Sequence, residues 1–303
     1  MSKVSTIVEA LICVAVLGGA CFGGVKILDS KSSISEDSVV IDNSSNVQGG
    51  AETTITEESG IKYRNVQVNN SVDLYSGNLV SITVDTYADY DYNSLELSNI
   101  EQNKTAGYSV SNSEDTISSN ALESLNTMMT DYVTDTGNTT AIVSMAYVPM
   151  ESLDDILNCD HLSGLSFDLG SYDGSTVTDY DGTGDFQWIS DRADKYGFIQ
   201  RYPSDKVQYT GIDEPRHFRY VGLPHSQFMK ENSLCLEEYI ATVKLYSYDN
   251  PLSITTFNGR TYDVYYVSVT DDDVTNVPVL IDKEYNISGD NKEGYIVAVK
   301  VSG

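Results

Sequence analysis

The chain is short of positive charge. Its 303 residues carry 18 lysines and arginines against 45 aspartates and glutamates, for a formal net charge of −27. Nucleic acid is excluded as a partner, because phosphate binding needs a basic face. Tight contact with anionic lipid headgroups is disfavoured for the same reason. The plain reading is a soluble acidic surface. Cysteine is scarce too, and four in a chain of this length do not make a disulfide framework. Cys13 and Cys21 lie in an apolar N-terminal segment, which leaves a bridge between Cys159 and Cys235 open. Tryptophan occurs once and histidine three times. Two of the histidines sit in short polar stretches, "CDHLSGLSFDL" (159–169) and "EPRHFRYVG" (214–222).

What is present suits one sizeable domain or two small ones, with 40% apolar residues to build a core. Residues 7–25 are apolar except for Glu9. They read as a single-pass membrane anchor within residues 1–28, with a cleaved signal peptide as the rival. Both readings place the bulk of the chain outside the cytoplasm, and the anchor would hold it at the cell membrane. Residues 29–60 are rich in Ser, Asp, Glu, Asn and Gly and read as a disordered linker. A domain over 61–245 and a β extension over 246–303 follow, and a monomer is expected.

Within that domain, "YRNVQVNN" and "NLVSITVDTY" alternate as strands do. Ala121, Leu122, Leu125, Met128, Met129 and Tyr132 fall at helical spacing, and Gly137 stops the run. "TAIVSMAYV" is a buried strand. "QWISDRADKYGF" is a short amphipathic helix ending at Gly197, and "SLCLEEYIATVKLY" is another helix. Beyond about residue 246 the texture is β, with a hairpin turning at Asn258-Gly259 and a closing strand "EGYIVAVKV". The fold class is α+β: a small, mostly antiparallel sheet with flanking helices and the β extension.

The two histidine stretches raise a metal site. A catalytic zinc takes three protein ligands and leaves its fourth position to water. His161, Asp168 and His217 would supply two imidazoles and a carboxylate, with Gly164 turning the backbone between the first two. Glu214 lies three residues before His217, and Pro215 kinks the chain between them. A carboxylate beside an activated water is the general base that hydrolysis needs. Spacing of this kind also arises in ordinary core and surface residues, so chemistry alone leaves both readings open. His225, in "GLPHSQF", has no partner motif and reads as a packing residue near a helix start. Cys159 reads as a small packed side chain, or as a fourth ligand that would close the site.

"CDHLSGLSFDL" resembles the S-x-H-x-x-G-x-A-x-D signature of the VanY-type D-alanyl-D-alanine carboxypeptidases, a zinc peptidase family. "WISDRADKYGFIQRYPSDK" and "TGIDEPRHFRYVG" resemble that family's next two stretches, in the same order and spacing. The resemblance runs from about residue 64 to the end. It implies Zn2+ held by His161, Asp168 and His217, Glu214 as catalytic base, and removal of the terminal D-alanine from peptidoglycan stem peptides. Arg201 and Arg219 match family positions and would support the pocket. Tyr147, Ser166 and Arg216 would contact substrate.

The chain departs from the pattern around the substrate. Where the family has S-G-Y-R, this sequence reads Met145, Ala146, Tyr147, Val148. The arginine that polarises the scissile carbonyl there is a valine. The motif serine is Cys159, the motif alanine is Ser166, and the tryptophan between Pro and His is Arg216. Two expectations follow: a zinc D,D-carboxypeptidase in which Arg216 restores the missing charge, or a weakened or inactive wall-peptide-binding module that keeps its zinc.

Overall fold

The computed structural model describes residues 55–58, 61–83, 86–87, 95–105, 107–152 and 156–303. The expected anchor and nearly all of the linker lie outside the described residues. Among those described, no helix is long and apolar enough to cross a membrane.

The described residues open with β1 (Ile55–Glu58) and β2 (Ile61–Asn69). A mixed section follows: β3 (Leu97–Asn99), α1 (Ile100–Asn103), β4 (Ser109–Val110), β5 (Thr116–Ser118), α2 (Ser119–Thr136) and β6 (Ala141–Met145). It continues through β7 (Ser166–Tyr172), β8 (Val177–Asp179), α3 (Gln187–Arg192), β9 (Phe198–Tyr202), α4 (Val207–Thr210) and β10 (Glu214–Tyr220). Helices α5 (His225–Glu231) and α6 (Leu236–Val243) lead into β11 (Leu252–Thr255), β12 (Thr261–Ser268), β13 (Val274–Leu280), β14 (Tyr285–Gly289) and β15 (Gly294–Ser302). The fold is α+β, as its sequence pattern predicts.

The central sheet has the order β4-β6-β7-β10-β9, with β8 also pairing β7. Its pairs are antiparallel except for β4-β6. Period-two alternation divides its two faces. Phe167 and Leu169 of β7 and Phe218 and Tyr220 of β10 join one core cluster with the apolar stripe of α2. The residues between them, Asp168, His217 and Arg219, belong to the opposite face and are buried as well. Helix α2 stops at Gly137, whose φ of 74° is the left-handed cap that glycine adopts without strain. The "QWISDRADKYGF" helix begins as α3 and tightens into a 3-10 turn over Ala193–Tyr196, ending at Gly197 as expected.

Residues 78–83 do not form the expected strand. Leu79, Val80 and Ile82 are fully buried, but side chains satisfy much of their backbone. Leu79 N–H donates to Ser288 Oγ, and the carbonyls of Asn78 and Val80 accept from Arg219. Burial without a ladder gives the same apolar pattern as burial in a sheet. The 252–268 hairpin forms, with Thr255 opposite Thr261, so its loop is longer than a two-residue Asn-Gly turn. Gly259 still takes the left-handed conformation in that loop, at φ 79°.

The C-terminal strands build two layers. One sheet runs β11-β12-β15-β14, and the other runs β1-β2-β13. Tyr295, Val297 and Val299 of β15 face the second layer through Val66, Val68, Val277 and Val279. Ile296 and Ala298 face α6 through Tyr239, Ile240 and Val243. Burial on both faces explains the unbroken apolar run of the closing strand. Because β2 pairs with β13 along its length, residues 61–69 join the C-terminal layers rather than the central sheet.

Leu125 is fully buried in the α2 core, whereas Leu245 is 73% exposed. Leu125→Ala should cost about 2–5 kcal/mol. Leu245→Ala should stay within about 0.5 kcal/mol. Chemical denaturation of both variants checks the contrast.

Candidate metal centre

His161 lies in a 3-10 segment, Ile156–Ser163, that ends beside Gly164. Gly164 has φ +65°, and a Cβ there would lie 2.7 Å from Leu97 Cδ2. Only glycine takes that turn freely, and the turn feeds the chain straight into β7. Asp168 on β7 stands directly opposite His217 on β10 in the antiparallel register. Thus a turn and a strand pair together close the triad.

The ligand atoms of His161, Asp168 and His217 all lie within 4.8 Å of one another. The two imidazoles meet edge to face at 4.5 Å between centroids. His217 Nδ1 is 2.8 Å from Asp168 Oδ1, and His161 Nε2 is 3.4 Å from the same oxygen. All three residues are buried. Both ring nitrogens of His161 lack a hydrogen-bond partner. A buried polar atom left in that state costs about 1–3 kcal/mol. Ligation through one ring nitrogen would remove part of that deficit, and two imidazoles with one carboxylate form a set that suits Zn2+ with an open fourth position. The residues therefore fit the metal.

Cys159 is not one of the clustered ligands. Its thiol is directed to Ile82 O at 3.7 Å, and burial pushes it up to about 12. Cys159 and Cys235 are both free, so no bridge joins them.

Behind the triad stands a residue that the sequence reading passed over. Asp160 is fully buried. It takes His217 Nε2 at 3.0 Å on Oδ2, the Ser166 hydroxyl on the same oxygen, and Arg219 Nη1 on Oδ1. Arg201 Nε lies 3.9 Å away, and the Arg201 fork closes on Glu237 at 3.0 and 2.6 Å. Burial opposes charge on Asp160, but Arg219, His217 and Arg201 outweigh it and hold the carboxyl far below its usual range. Burial likewise opposes charge on Asp168, and His161 and His217 overcome it. For His217, burial favours the neutral ring, but Asp160 and Asp168 together raise its pKa to about 9. With Nε2–H given to Asp160, Nδ1 is the ring nitrogen turned toward Asp168, and a metal bound there would displace its proton, the carboxylate–histidine arrangement that fixes a ligand's tautomer. An acidic residue beside a histidine in the sequence, with two arginines at matching positions downstream, was the available signal.

The other expected site residues divide. Arg216 comes to the triad, with Nε 3.3 Å from Asp168 Oδ2, and its Nη2 donates to Glu214 Oε1 at 2.7 Å. A register shift in the β9–β10 pairing between Glu214 and Phe218 loosens the strand there. Such irregularities re-aim side chains next to active sites. Ser166, expected to touch substrate, is fully buried with its hydroxyl given to Asp160, so it supports the site from within. Tyr147 follows β6, its backbone N–H held by Thr116 O at 3.0 Å, and Val148 beside it is half-buried. Arg201 and Arg219 are buried supports. His225 starts α5 and packs on Tyr239 with Nδ1 2.5 Å from its hydroxyl, and burial lowers its pKa to about 3.

Asp160→Asn should lower zinc affinity about 10- to 100-fold, measured by competition with a chromogenic chelator. An unchanged affinity would separate Asp160 from the metal.

Residues 158–223, which hold the triad, match the family model described as VanY, D-alanyl-D-alanine carboxypeptidase. A D-alanyl-D-alanine carboxypeptidase of Enterococcus faecium is 44% identical over 141 residues, covering 46% of this chain and 43% of that protein. A bifunctional D-Ala-D-Ala dipeptidase and carboxypeptidase of Enterococcus gallinarum, VanXYC, is 64% identical over 45 residues, or 14% of this chain and 24% of that protein. The chain thus spans under half the length of these curated relatives. In fold, it is similar to the vancomycin-resistance D,D-dipeptidase VanXYg, solved with a D-Ala-D-Ala phosphinate analog. The TM-score is 0.69 at 26% identity, over 78% of this chain and 99% of that one. Where the site is built, over residues 158–223, the chain is similar in sequence to the VanY D-alanyl-D-alanine carboxypeptidases, and across most of its length its fold is similar to that of a D,D-dipeptidase.

Proposed function

We propose that this protein is a zinc D,D-carboxypeptidase that removes the terminal D-alanine from peptidoglycan stem peptides. The observation that carries this reading is the buried His161–Asp168–His217 cluster with Glu214 tied to it through Arg216. A site used only to bind peptide has little need of a general base. The family relatives named for D-alanyl-D-alanine peptides support the substrate class.

His161, Asp168 and His217 would hold the zinc, and Asp160 would keep His217 in the ligating tautomer. Bound there, zinc supplies Lewis acidity to a water and to the scissile carbonyl. Glu214 takes the proton of the attacking water and passes it to the departing amine of D-alanine. Tyr147, beside the turn at Gly164, and Arg216, beside the triad, are the substrate contacts in this reading. From Lys104 to Arg192 the chain has no lysine or arginine between, so the charge missing at Val148 has no neighbour in sequence to replace it. Arg216 is the partly exposed cation that stands beside the triad instead. Anchoring at the membrane through residues 7–25, with the domain outside the cytoplasm, would place the site where such peptides lie.

The second reading, a zinc-holding module that binds wall peptide without cleaving it, is favoured by Val148. The zinc-loaded protein should release D-alanine from a stem pentapeptide, and Glu214→Ala should abolish release while zinc content stays. A folded protein that holds zinc and releases none would replace the first reading with the second.

A further inference from the structure

Arg216 stands between the triad and solvent. Its Nη2 donates to Glu214 Oε1 and its Nη1 to Asp179 Oδ1, both at 2.7 Å. Its Nε, 3.3 Å from Asp168 Oδ2, has no hydrogen-bond partner. The Arg216 side chain is 32% exposed and that of Asp179 is 70% exposed. One side of the guanidinium therefore holds the base and borders a metal ligand. The other holds a surface carboxylate on the short strand β8. The neighbouring arginines cannot take this place, because Arg201 and Arg219 are buried and engaged with Asp160, Glu237 and backbone carbonyls. Among the described residues, Arg216 is the cation that both touches the triad and reaches solvent.

An ion pair this exposed contributes little, so Asp179 yields readily to another carboxylate. A guanidinium fork matches a carboxylate with two parallel hydrogen bonds. The bond to Glu214 is different in kind. It occupies a carboxylate oxygen that would otherwise be free to accept a proton from water.

We infer that Arg216 is the receptor for the free C-terminal carboxylate of the peptide and, until that carboxylate arrives, a latch on Glu214. The incoming carboxylate exchanges with those of Asp179 and Glu214 on the guanidinium, and the freed Glu214 oxygen becomes available to a proton. A peptide without a free terminus leaves the latch closed. The site is thereby selective for the last residue of a chain over an internal bond. The latch rests on the hydrolytic reading above; the carboxylate receptor does not.

The test compares an N-acylated D-Ala-D-Ala peptide with its C-terminal amide. Binding is measured by calorimetry on the zinc-loaded full chain carrying Glu214→Ala, which prevents turnover. The acid should bind about 10- to 100-fold more tightly than the amide, as a hydrogen-bonded charge pair provides. Adding Arg216→Gln should bring the acid down to the level of the amide, and Arg216→Lys should fall between. A zinc-holding Arg216→Gln protein that still prefers the acid overturns the receptor. In the protein with Glu214 intact, Arg216→Gln should lower the ratio of acid to amide hydrolysis, and an unchanged ratio overturns the latch. If neither peptide is cleaved while acid binding still depends on Arg216, the hydrolytic reading and the latch fall and the receptor stands.

Discussion

Asp160 has no contact with solvent, yet it bears a full negative charge and binds His217, Ser166 and Arg219 directly. Taking such a group out of water costs several kcal/mol, and only close opposite charge and complete hydrogen bonding offset that cost. Both are present. The arrangement ties four parts of the fold to one carboxylate: the 3-10 segment before β7, strand β7 through Ser166, strand β10 through His217 and Arg219, and strand β9 through the nearby Arg201. Arg219 extends it to the buried segment at 78–80, and Arg201 extends it to α6 through Glu237. The metal ligands are thus set by a charge cluster behind them as much as by the sheet that carries them.

The division of labour across the central sheet follows from side-chain alternation. One face of β7 and β10 presents phenylalanine, leucine and tyrosine to α2, and the other presents Asp168, His217 and Arg219 to a buried polar interior. An apolar core on one side keeps the strands in register. Register in turn places Asp168 opposite His217, since a slip of one residue would exchange the two faces.

Much of this was legible in the sequence. The apolar spacing of α2, the glycine stops at 137 and 197, and the turn at Gly164 are local signals with local causes, and each produces the element that it predicts. The triad was legible because its ligands lie in two short stretches with a glycine turn in one and a proline kink in the other. The illegible parts depend on distant partners. Residues 78–83 look like a strand because burial alone dictates apolar side chains, whether a ladder or an arginine satisfies the backbone. Asp160 looks like an ordinary polar neighbour of His161 until Arg219 and Arg201 are brought to it from 59 and 41 positions away. Ser166 reads as a substrate contact because it lies in the motif between two metal ligands, and only the packing shows its hydroxyl turned inward.

The pairing of β2 with β13 bears on how the protein is made. Val66 stands opposite Val277, 211 residues later in the chain. Synthesis at about 5–20 residues per second would leave β2 waiting about 10–40 seconds for its partner. During that time its valine-bearing face and one open edge have nothing native to cover them, and an exposed strand edge invites pairing with other chains. The last layer of the fold to close is therefore built partly from the first of the described strands to emerge.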